Sequence, residues 1–191
     1  MTACPTLVTD RLILRPLEEP DLDAYTEVLM TPEVRRSLHL PATFSRGDAW
    51  AGMAQWRGQW ELRGSGQWAV EERSSGRFVG RAGLHRPEIP DWPGLEVGWT
   101  LHPTYWGKGY ATEAGASAIA YAFEVIGAAE LFSIILPENE RSQAVARRLG
   151  LTLIEERVLS SLPESPHGIW RLGRDQWVWA PSPGGGADGP L

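Results

Sequence analysis

Two residue types that often carry chemistry are nearly missing from this sequence. Its 191 residues include one cysteine, Cys4, so no disulfide can form within the chain, and its context favours a reducing compartment and a bystander thiol. Of the 18 basic residues one, Lys108, is a lysine, and the others are arginines. Together with 21 glycines and 15 prolines, this bias is typical of a GC-rich coding sequence. Codon usage explains the arginines, but it does not explain the position of the single lysine.

Long apolar runs and an excess of positive charge are also missing. The longest apolar stretch, residues 114–136, is interrupted by Glu124 and Glu130, which argues against a membrane span. The first 30 residues contain acids and arginines but no apolar core of a secretory signal peptide. With 24 acidic and 18 basic residues the net charge is −6, so no global positive field attracts nucleic acid. We therefore predict a cytoplasmic protein that binds neither membranes nor nucleic acid directly.

The length and composition indicate one globular domain. Apolar residues make up 42% and charged residues 22% of the chain, which excludes a wholly disordered protein. A chain of this length can bury one sizeable core. We place the domain at residues 1–180 and predict that the Gly/Pro-rich end, residues 181–191, is a disordered tail. Strand-like and helix-like segments alternate along the domain, which indicates an α+β fold with one mixed sheet.

Hydrophobic periodicity and capping residues predict most of the elements. Ser45 and Asp48 form a capping box before a helix with tryptophans at helical spacing. Asn139 is predicted to cap a short helix that Gly150 stops. The runs GQWAVEER and RFVGRAGLH, joined by SSG, predict a hairpin. Further strands are predicted at residues 11–17, 130–136, 151–158 and 168–179, and further helices at residues 18–30 and from a glycine loop to Gly127.

One strand-like segment separates apolar from polar positions. In the run LEVGWTL, residues 95–101, the odd positions are apolar, and the even positions hold Glu96, Gly98 and Thr100. Side chains alternate between the two faces of a strand, so the pattern predicts one buried face and one face that is free for function. On a purely structural interpretation, Glu96 is a carboxylate paired with one of the many arginines.

The single lysine stands in a glycine loop that follows this strand. Gly107 and Gly109 flank Lys108 ahead of a helix, an arrangement that lets backbone N–H groups approach phosphate oxygens. A Walker A loop is excluded because a glycine follows the lysine where Ser or Thr is required. A dinucleotide-binding loop fits poorly, because Thr112 replaces the third small residue and the candidate acid, Glu130, precedes the next strand. An ordinary tight turn is the remaining alternative.

Several of these segments together resemble one family. The run EVGWTLHPTYWGKGYATEA, followed by NERSQAVARRLGL, resembles the acyl-CoA signature of the GNAT N-acetyltransferase superfamily. The opening LVTDRLILRPLEEPDLDAYTEVL and the run GRFVGRAGL resemble the branch of the ribosomal-protein N-acetyltransferases RimJ and RimL, so the resemblance covers residues 7–180. It implies an α+β fold with a mixed, mostly antiparallel sheet of about seven strands and helices on both faces.

The resemblance also implies acetyl-CoA as the co-substrate, with no metal. In the family, the strand matching residues 95–101 splays from its neighbour and pairs with the pantetheine arm, and the next loop wraps the pyrophosphate. Trp106 departs from the Gln or Arg of the superfamily, so binding there is expected to rest on backbone amides. Asn139 resembles an Asn that hydrogen-bonds pantetheine, although a plain helix cap explains it equally well. The residues implied to bind the co-substrate are Trp99, Thr100, Leu101, Trp106, Gly107, Lys108, Gly109, Tyr110, Ala111, Thr112, Asn139, Ser142 and Arg148.

The implied reaction moves an acetyl group to a primary amine by direct attack within a ternary complex. The amine must be neutral, so a base is needed. Glu96, on the free face of the strand, is the first candidate, and His102 or water is the alternative. Many relatives protonate the leaving thiolate with a tyrosine in or after the Asn-bearing helix, but no tyrosine follows Tyr121. Ser142 is therefore the implied acid, with water as its alternative.

The acceptor is the least determined part of the sequence interpretation. A protein N-terminal α-amine, with a pKa of about 7.7–8.0 against about 10.4 for lysine, needs only modest help to lose its proton. A polyamine, an aminoglycoside and an amino acid are alternatives, and so is a silent acyl-CoA-binding sensor. A homodimer is left open. Four tryptophans would line an aromatic substrate pocket, or else belong to the core: Trp50, Trp56, Trp60 and Trp92.

Overall fold

Eight strands form a single sheet in the computed structural model, which describes residues 4–178. Neighbouring strands run antiparallel except at one place, where β5 (Glu96–Leu101) and β6 (Glu130–Ile135) run parallel. This mixed, mostly antiparallel sheet confirms the predicted fold class, and the eighth strand is a two-residue strand that the sequence did not reveal. In sheet order the strands are β1 (Leu7–Val8), β2 (Leu12–Arg15), β3 (Gln67–Glu72), β4 (Arg77–His85), β5, β6, β8 (Leu162–Gly173) and β7 (Thr152–Leu159).

Capping residues fix where the helices begin and end. The helices are α1 (Leu22–Met30), α2 (Pro32–Ser37), α3 (Arg46–Arg63), α4 (Tyr110–Ala120) and α5 (Glu140–Arg148). Before α3, the Ser45 hydroxyl accepts from the Asp48 N–H (3.3 Å) and the Asp48 carboxylate accepts from the Ser45 N–H (2.8 Å), so the predicted capping box is present. α4 continues into a π-helical turn over residues 121–126, which ends at Gly127 in the left-handed conformation, as predicted.

Two elements differ from the prediction, and both contain prolines. α2 begins at Pro32, where the missing N–H is harmless because the first helical turn leaves it unpaired anyway. β8 begins at Leu162 rather than at residue 168. Its prolines, Pro163 and Pro166, lie beyond the last residue pair with β6, so their missing N–H groups cost no hydrogen bond to that strand. β8 also ends at Gly173, before a short 3₁₀ turn. The predicted tail, residues 181–191, lies outside the described residues, and the domain boundary at residue 180 stays a prediction.

The two faces of the sheet pack against different helices, and this decides where the functional side chains point. α4 and α5 cover the face that contains Trp68 and Val97, which Trp60 at the end of α3 also reaches, whereas α1, α2 and the rest of α3 cover the other face. Side chains alternate along a strand, so Glu96 and its cross-strand partner His85 lie on the α3 side. Trp56 of α3 meets His85 there, which confirms the side.

Candidate active site

The parallel strands β5 and β6 separate soon after they meet. Among residues 4–178 their register comprises one pair, Glu96 and Phe132, and the Phe132 N–H donates to the Leu95 carbonyl (2.9 Å). β5 then runs on to Leu101 beside β4 alone. The backbone edge of β5 beyond Glu96 therefore opens toward β6, and such an edge can accept an extended ligand as an added strand.

The hydrogen-bond alternation along β5 decides which backbone groups face this opening. The His102 N–H donates to the Val79 carbonyl (2.9 Å). Backbone groups alternate along the strand, so those of Thr100 point toward β4, and those of Trp99 and Leu101 point toward the opening. Thr100 is thus a correction to the sequence prediction, because its backbone serves the sheet and its side chain, expected to be free, is buried at 7% exposure. Trp99, expected to be buried, is half-buried.

Trp106 closes the end of the opening. Its indole N–H donates to the Leu101 carbonyl (2.8 Å), and the guanidinium of Arg141 lies 4.7 Å above its ring. The indole therefore joins the end of β5 to the start of the glycine loop. Sequence analysis did not name Arg141. It named Arg148, which lies in the last turn of α5 and stays a prediction. The contact of Arg141 depends on how α5 approaches the loop, which the sequence pattern does not give.

The loop before α4 keeps its backbone N–H groups available. Gly107 and Gly109 have φ values of 75° and 81°, in the left-handed region that favours glycine. The Glu113 N–H is the first that bonds back into the helix, to the Gly109 carbonyl (3.0 Å). Within the described chain the N–H groups of residues 107–112 have no backbone acceptor. Free donors at a helix N-terminus suit a pyrophosphate, so the loop fits the co-substrate that the resemblance implies.

Lys108 lies against the aromatic side of this loop. Its ammonium is 5.0 Å from the centroid of the Tyr105 ring, which stacks on Tyr110 (6.2 Å between centroids). The Tyr110 hydroxyl donates to Glu72 (2.6 Å), and this bond raises the pKa of Tyr110. Hydrogen bonds from Ser75 and Tyr110, and the charge of Lys108, lower the pKa of Glu72. Tyr110 is therefore committed to the structure of the loop.

Asn139 and Ser142 meet at the start of α5. The Asn139 side-chain oxygen accepts from the Ser142 N–H (3.1 Å), so the predicted N-cap is confirmed. The amide N–H groups of Asn139 stay available beside this bond. Ser142 is half-buried, and its hydroxyl has no hydrogen-bond partner among the described residues. Both side chains therefore retain unused donors.

Glu96 is held by a histidine that sequence analysis missed. The two residues are cross-strand neighbours, and His85 Nδ1 lies 3.3 Å from Glu96 Oε2. Their side chains are 18% and 15% exposed, so the pair is largely shielded from water. An ionised carboxylate only accepts hydrogen bonds, so His85 donates through Nδ1. The other oxygen, Oε1, lies 3.8 Å from the place a Cβ would take on Gly98, along β5.

Two of the four predicted pocket tryptophans fix the orientation of His85. The rings of Trp56 and Trp92 meet the imidazole edge-on, with centroids 4.9 and 5.7 Å away. His85 Nε2 is buried without a hydrogen-bond partner, so the ring is held by packing on that side and by Glu96 on the other. Trp56 itself is tied by its indole N–H to the Tyr25 hydroxyl (3.1 Å). The imidazole is therefore fixed on three sides.

The other two tryptophans do not share this place, which corrects the predicted pocket. Trp60 is buried at 2% exposure against Trp68 and Tyr121, and its N–H donates to the Gln67 carbonyl (3.1 Å). Trp50 is half exposed, with its N–H on Glu19. Helical spacing alone put Trp50, Trp56 and Trp60 on one wall, but α3 turns them toward different neighbours.

His102, the alternative base, is occupied as a cap. Its Nδ1 accepts from the Thr104 N–H (3.3 Å) and lies 2.8 Å from the Thr104 hydroxyl, at the start of a 3₁₀ turn. The nitrogen lone pair is thus used within the loop. This geometry favours Glu96 over His102 as the proton acceptor.

A second histidine lies farther along the same face of the sheet. Register places Phe132 beside Glu96 and puts His167 of β8 on the same side. His167 Nδ1 donates to the Ser165 carbonyl (3.0 Å), and the ring centroid of His39 is 5.6 Å away. Burial lowers the pKa of His167, which keeps this imidazole neutral at pH 7.

Comparison with known proteins gives a family match over most of the chain. The sequence profile of the acetyltransferase (GNAT) domain matches residues 11–152. Within residues 4–178 no helix has the length and apolar character to cross a membrane. In the same range no cluster of three or more His, Cys, Asp and Glu side chains is arranged to hold a metal ion.

Several similar proteins and solved structures are named as acetyltransferases or as a transacetylase. An acetyltransferase from Agrobacterium tumefaciens is 32% identical, with a TM-score of 0.77 over 89% of this chain and 95% of that one. The FsC-acetyl coenzyme A-N(2)-transacetylase of Aspergillus fumigatus is 29% identical over 92% of this chain and 79% of its own length. The ribosomal-protein-S5-alanine acetyltransferase of Vibrio fischeri is 18% identical, with a TM-score of 0.69 over 92% of this chain and all of that one, and this likeness concerns the fold alone.

Proposed function

Because the chain belongs to the GNAT acetyltransferase family, we propose that it moves the acetyl group of acetyl-CoA to a primary amine by direct attack within a ternary complex. The observation that carries the proposal is the place of the Glu96 carboxylate, which His85 holds on the strand that opens beside β6. Acetyl-CoA supplies the acetyl group as an activated thioester. The residues of this chain bind it, orient it and handle the protons.

Two backbone features support the co-substrate site. The edge of β5, with Trp99 and Leu101 directed toward the opening, suits the amide-bearing pantetheine arm. The free N–H groups of residues 107–112 suit the pyrophosphate. Asn139 and Ser142 add side-chain donors from α5, and Arg141 adds a positive charge beside the loop. These contacts lie on one end of the sheet, where β5 passes into α4.

Glu96 is the base that the geometry supports best. An ammonium group has no lone pair, so the acceptor must lose a proton before it attacks. Glu96 Oε2 is engaged by His85, and Oε1 stays available along the strand over Gly98. In this arrangement Oε1 takes the proton of the acceptor amine, and His85 keeps the carboxylate from rotating away. His102 is used as a cap and cannot serve without giving up that bond.

A protein N-terminal α-amine is the acceptor class that we propose. Its ordinary pKa lies about 2.5 units below that of a lysine side chain, so it needs less help to lose its proton near neutral pH. The RimJ- and RimL-like motifs point in the same direction. Small-molecule amines remain the competing class, and the name of the Aspergillus relative shows that acetyl transfer to nitrogen from acetyl coenzyme A occurs among similar proteins. A panel of amines separates the two classes.

Replacing Ser142 with alanine is expected to reduce kcat about tenfold and to weaken acetyl-CoA binding by a smaller factor, through the loss of one side-chain donor. The Ser142 hydroxyl is without a partner among the described residues and would relay a proton to the leaving thiolate, taking one from water as it gives up its own. Its N–H bond to Asn139 does not depend on the side chain, so the helix cap survives the change. Steady-state kinetics with a calorimetric Kd measures both quantities. An unchanged kcat removes Ser142 from the reaction and leaves water as the proton source.

Amine-dependent release of the CoA thiol tests the proposed activity. Wild-type protein with acetyl-CoA is expected to release thiol faster when a suitable amine is added. A protein that binds acetyl-CoA but shows no amine dependence with any class would be a binding module rather than an enzyme. The same assay ranks peptides with free N-termini, polyamines, aminoglycosides and amino acids.

A further inference from the structure

Arg11 joins the start of the sheet to the glycine loop across nearly a hundred residues of sequence. It lies just before β2, and its Nη1 donates to the Lys108 carbonyl (2.7 Å). Its Nε donates to Glu113 Oε2 (2.7 Å), and its own backbone N–H donates to Glu113 Oε1 (2.9 Å). The guanidinium also lies 4.8 Å from the centroid of the Tyr110 ring. One side chain thus contacts the middle of the loop and the first turns of α4.

The bond to the Lys108 carbonyl sets the direction of the next N–H group. The carbonyl and the N–H of a trans peptide point in opposite directions, and the described chain contains no cis peptide. With the Lys108 carbonyl held toward Arg11, the Gly109 N–H must point away from it. Gly109 has a left-handed φ, and a Cβ there would lie 3.3 Å from Arg11 Nη2, so the loop backbone is packed directly on the guanidinium.

We propose that Arg11 is a positioning residue, which fixes the 108–109 peptide so that its N–H faces the pyrophosphate of the co-substrate. This inference rests on the proposed function, because it assumes that the loop binds a pyrophosphate. Arg11 fixes this peptide from the side of the loop that faces away from the ligand. It contacts the Lys108 carbonyl and not the pyrophosphate.

The charge of Arg11 is already balanced within the protein. Glu113 is only 10% exposed and forms an ion pair with Arg11 (2.6 Å), and Thr9 donates a further hydrogen bond to Glu113 (2.6 Å). A guanidinium neutralised in this way attracts a distant anion weakly. Its effect on binding is therefore expected to come from the orientation of the loop, which depends on the fork of donors that arginine provides.

The test compares Arg11→Met with Arg73→Met in the full-length chain. Arg73 donates to the carbonyls of Thr9 and Asp10, in the same turn as Arg11, but it does not touch the loop. The ligands are CoA and pantetheine, which lacks the pyrophosphate and the adenosine. Calorimetry gives a Kd for each, and acetyl-CoA kinetics separates KM from kcat. We expect Arg11→Met to weaken CoA binding about tenfold, to leave pantetheine binding unchanged and to raise KM more than it lowers kcat.

Each outcome decides between the possibilities. If Arg11→Met and Arg73→Met bind CoA equally, or if Arg11→Met weakens CoA and pantetheine by the same factor, Arg11 does not position the pyrophosphate loop. If the wild-type protein binds CoA no better than pantetheine, the loop is not a pyrophosphate site and the proposed function loses its co-substrate geometry. Half of the Arg11 side chain is exposed, so the variant is expected to fold, and its unfolding temperature checks this.

Discussion

Replacing Glu96 with glutamine is expected to reduce kcat/KM for the amine about 10²- to 10⁴-fold, the range that a positioned general base contributes. Glutamine retains the shape and can still accept a hydrogen bond from His85 Nδ1, so packing between Trp56 and Trp92 is preserved. It cannot take a proton from an ammonium. The Kd for acetyl-CoA, measured by calorimetry, is expected to stay within about twofold of the wild-type value.

Glu156→Gln is the matched control for this prediction. Glu156 lies exposed on the edge strand β7, far along the sheet from β5, so its loss changes the net charge by the same amount without touching the opening. A variant Glu96→Gln that keeps more than about a tenth of wild-type kcat/KM would show that water or His102 removes the proton. His102→Gln then distinguishes these two, because among residues 4–178 the hydrogen bonds of its side chain are made to Thr104 alone.

Replacing Trp60 with alanine is expected to lower the free energy of unfolding by about 3–5 kcal/mol. The side chain is 2% exposed and packs edge-on against Trp68, with ring centroids 4.6 Å apart. Truncation leaves a cavity and also leaves the Gln67 carbonyl without the indole donor. Denaturant unfolding measures the change. Trp60→Phe, which keeps most of the ring, is expected to cost about 1 kcal/mol through the lost hydrogen bond.

Trp50→Ala provides the comparison on the same helix. Trp50 is 51% exposed, and its substitution is expected to change the unfolding free energy by less than about 0.5 kcal/mol. If Trp60→Ala unfolds like wild type but raises KM for the amine, Trp60 lines the acceptor pocket after all. If both variants are stable and active, the packing around the end of α3 is not what the structure shows.

The sequence predicts the parts of the site that depend on local order. The glycine loop, the N-cap at Asn139 and the strand that holds Glu96 can each be predicted from residues that are close together in the sequence. Gly109 has a left-handed φ because the loop must turn into α4, and the position of the glycine in the sequence already indicates it. The capping bond from Ser142 to Asn139 likewise needs only a spacing of three residues.

The parts that the sequence misses depend on contacts between distant segments. His85 meets Glu96 only when the register of β4 against β5 is known. Arg11 reaches Lys108 because β2 and the start of α4 lie side by side, and Arg141 reaches Trp106 because α5 packs near the loop. Trp60 has the same spacing pattern as Trp56, yet the two face different cores, which periodicity alone cannot separate.

The measurement that bears most directly on the proposed activity is thiol release from acetyl-CoA with and without an amine. With the wild-type protein, the rate of CoA release is expected to rise with the concentration of a peptide that has a free N-terminus. Glu96→Gln is expected to lose that dependence while still binding acetyl-CoA. Release that no peptide, polyamine, aminoglycoside or amino acid accelerates, from a protein that binds acetyl-CoA normally, would contradict acetyl transfer to an amine.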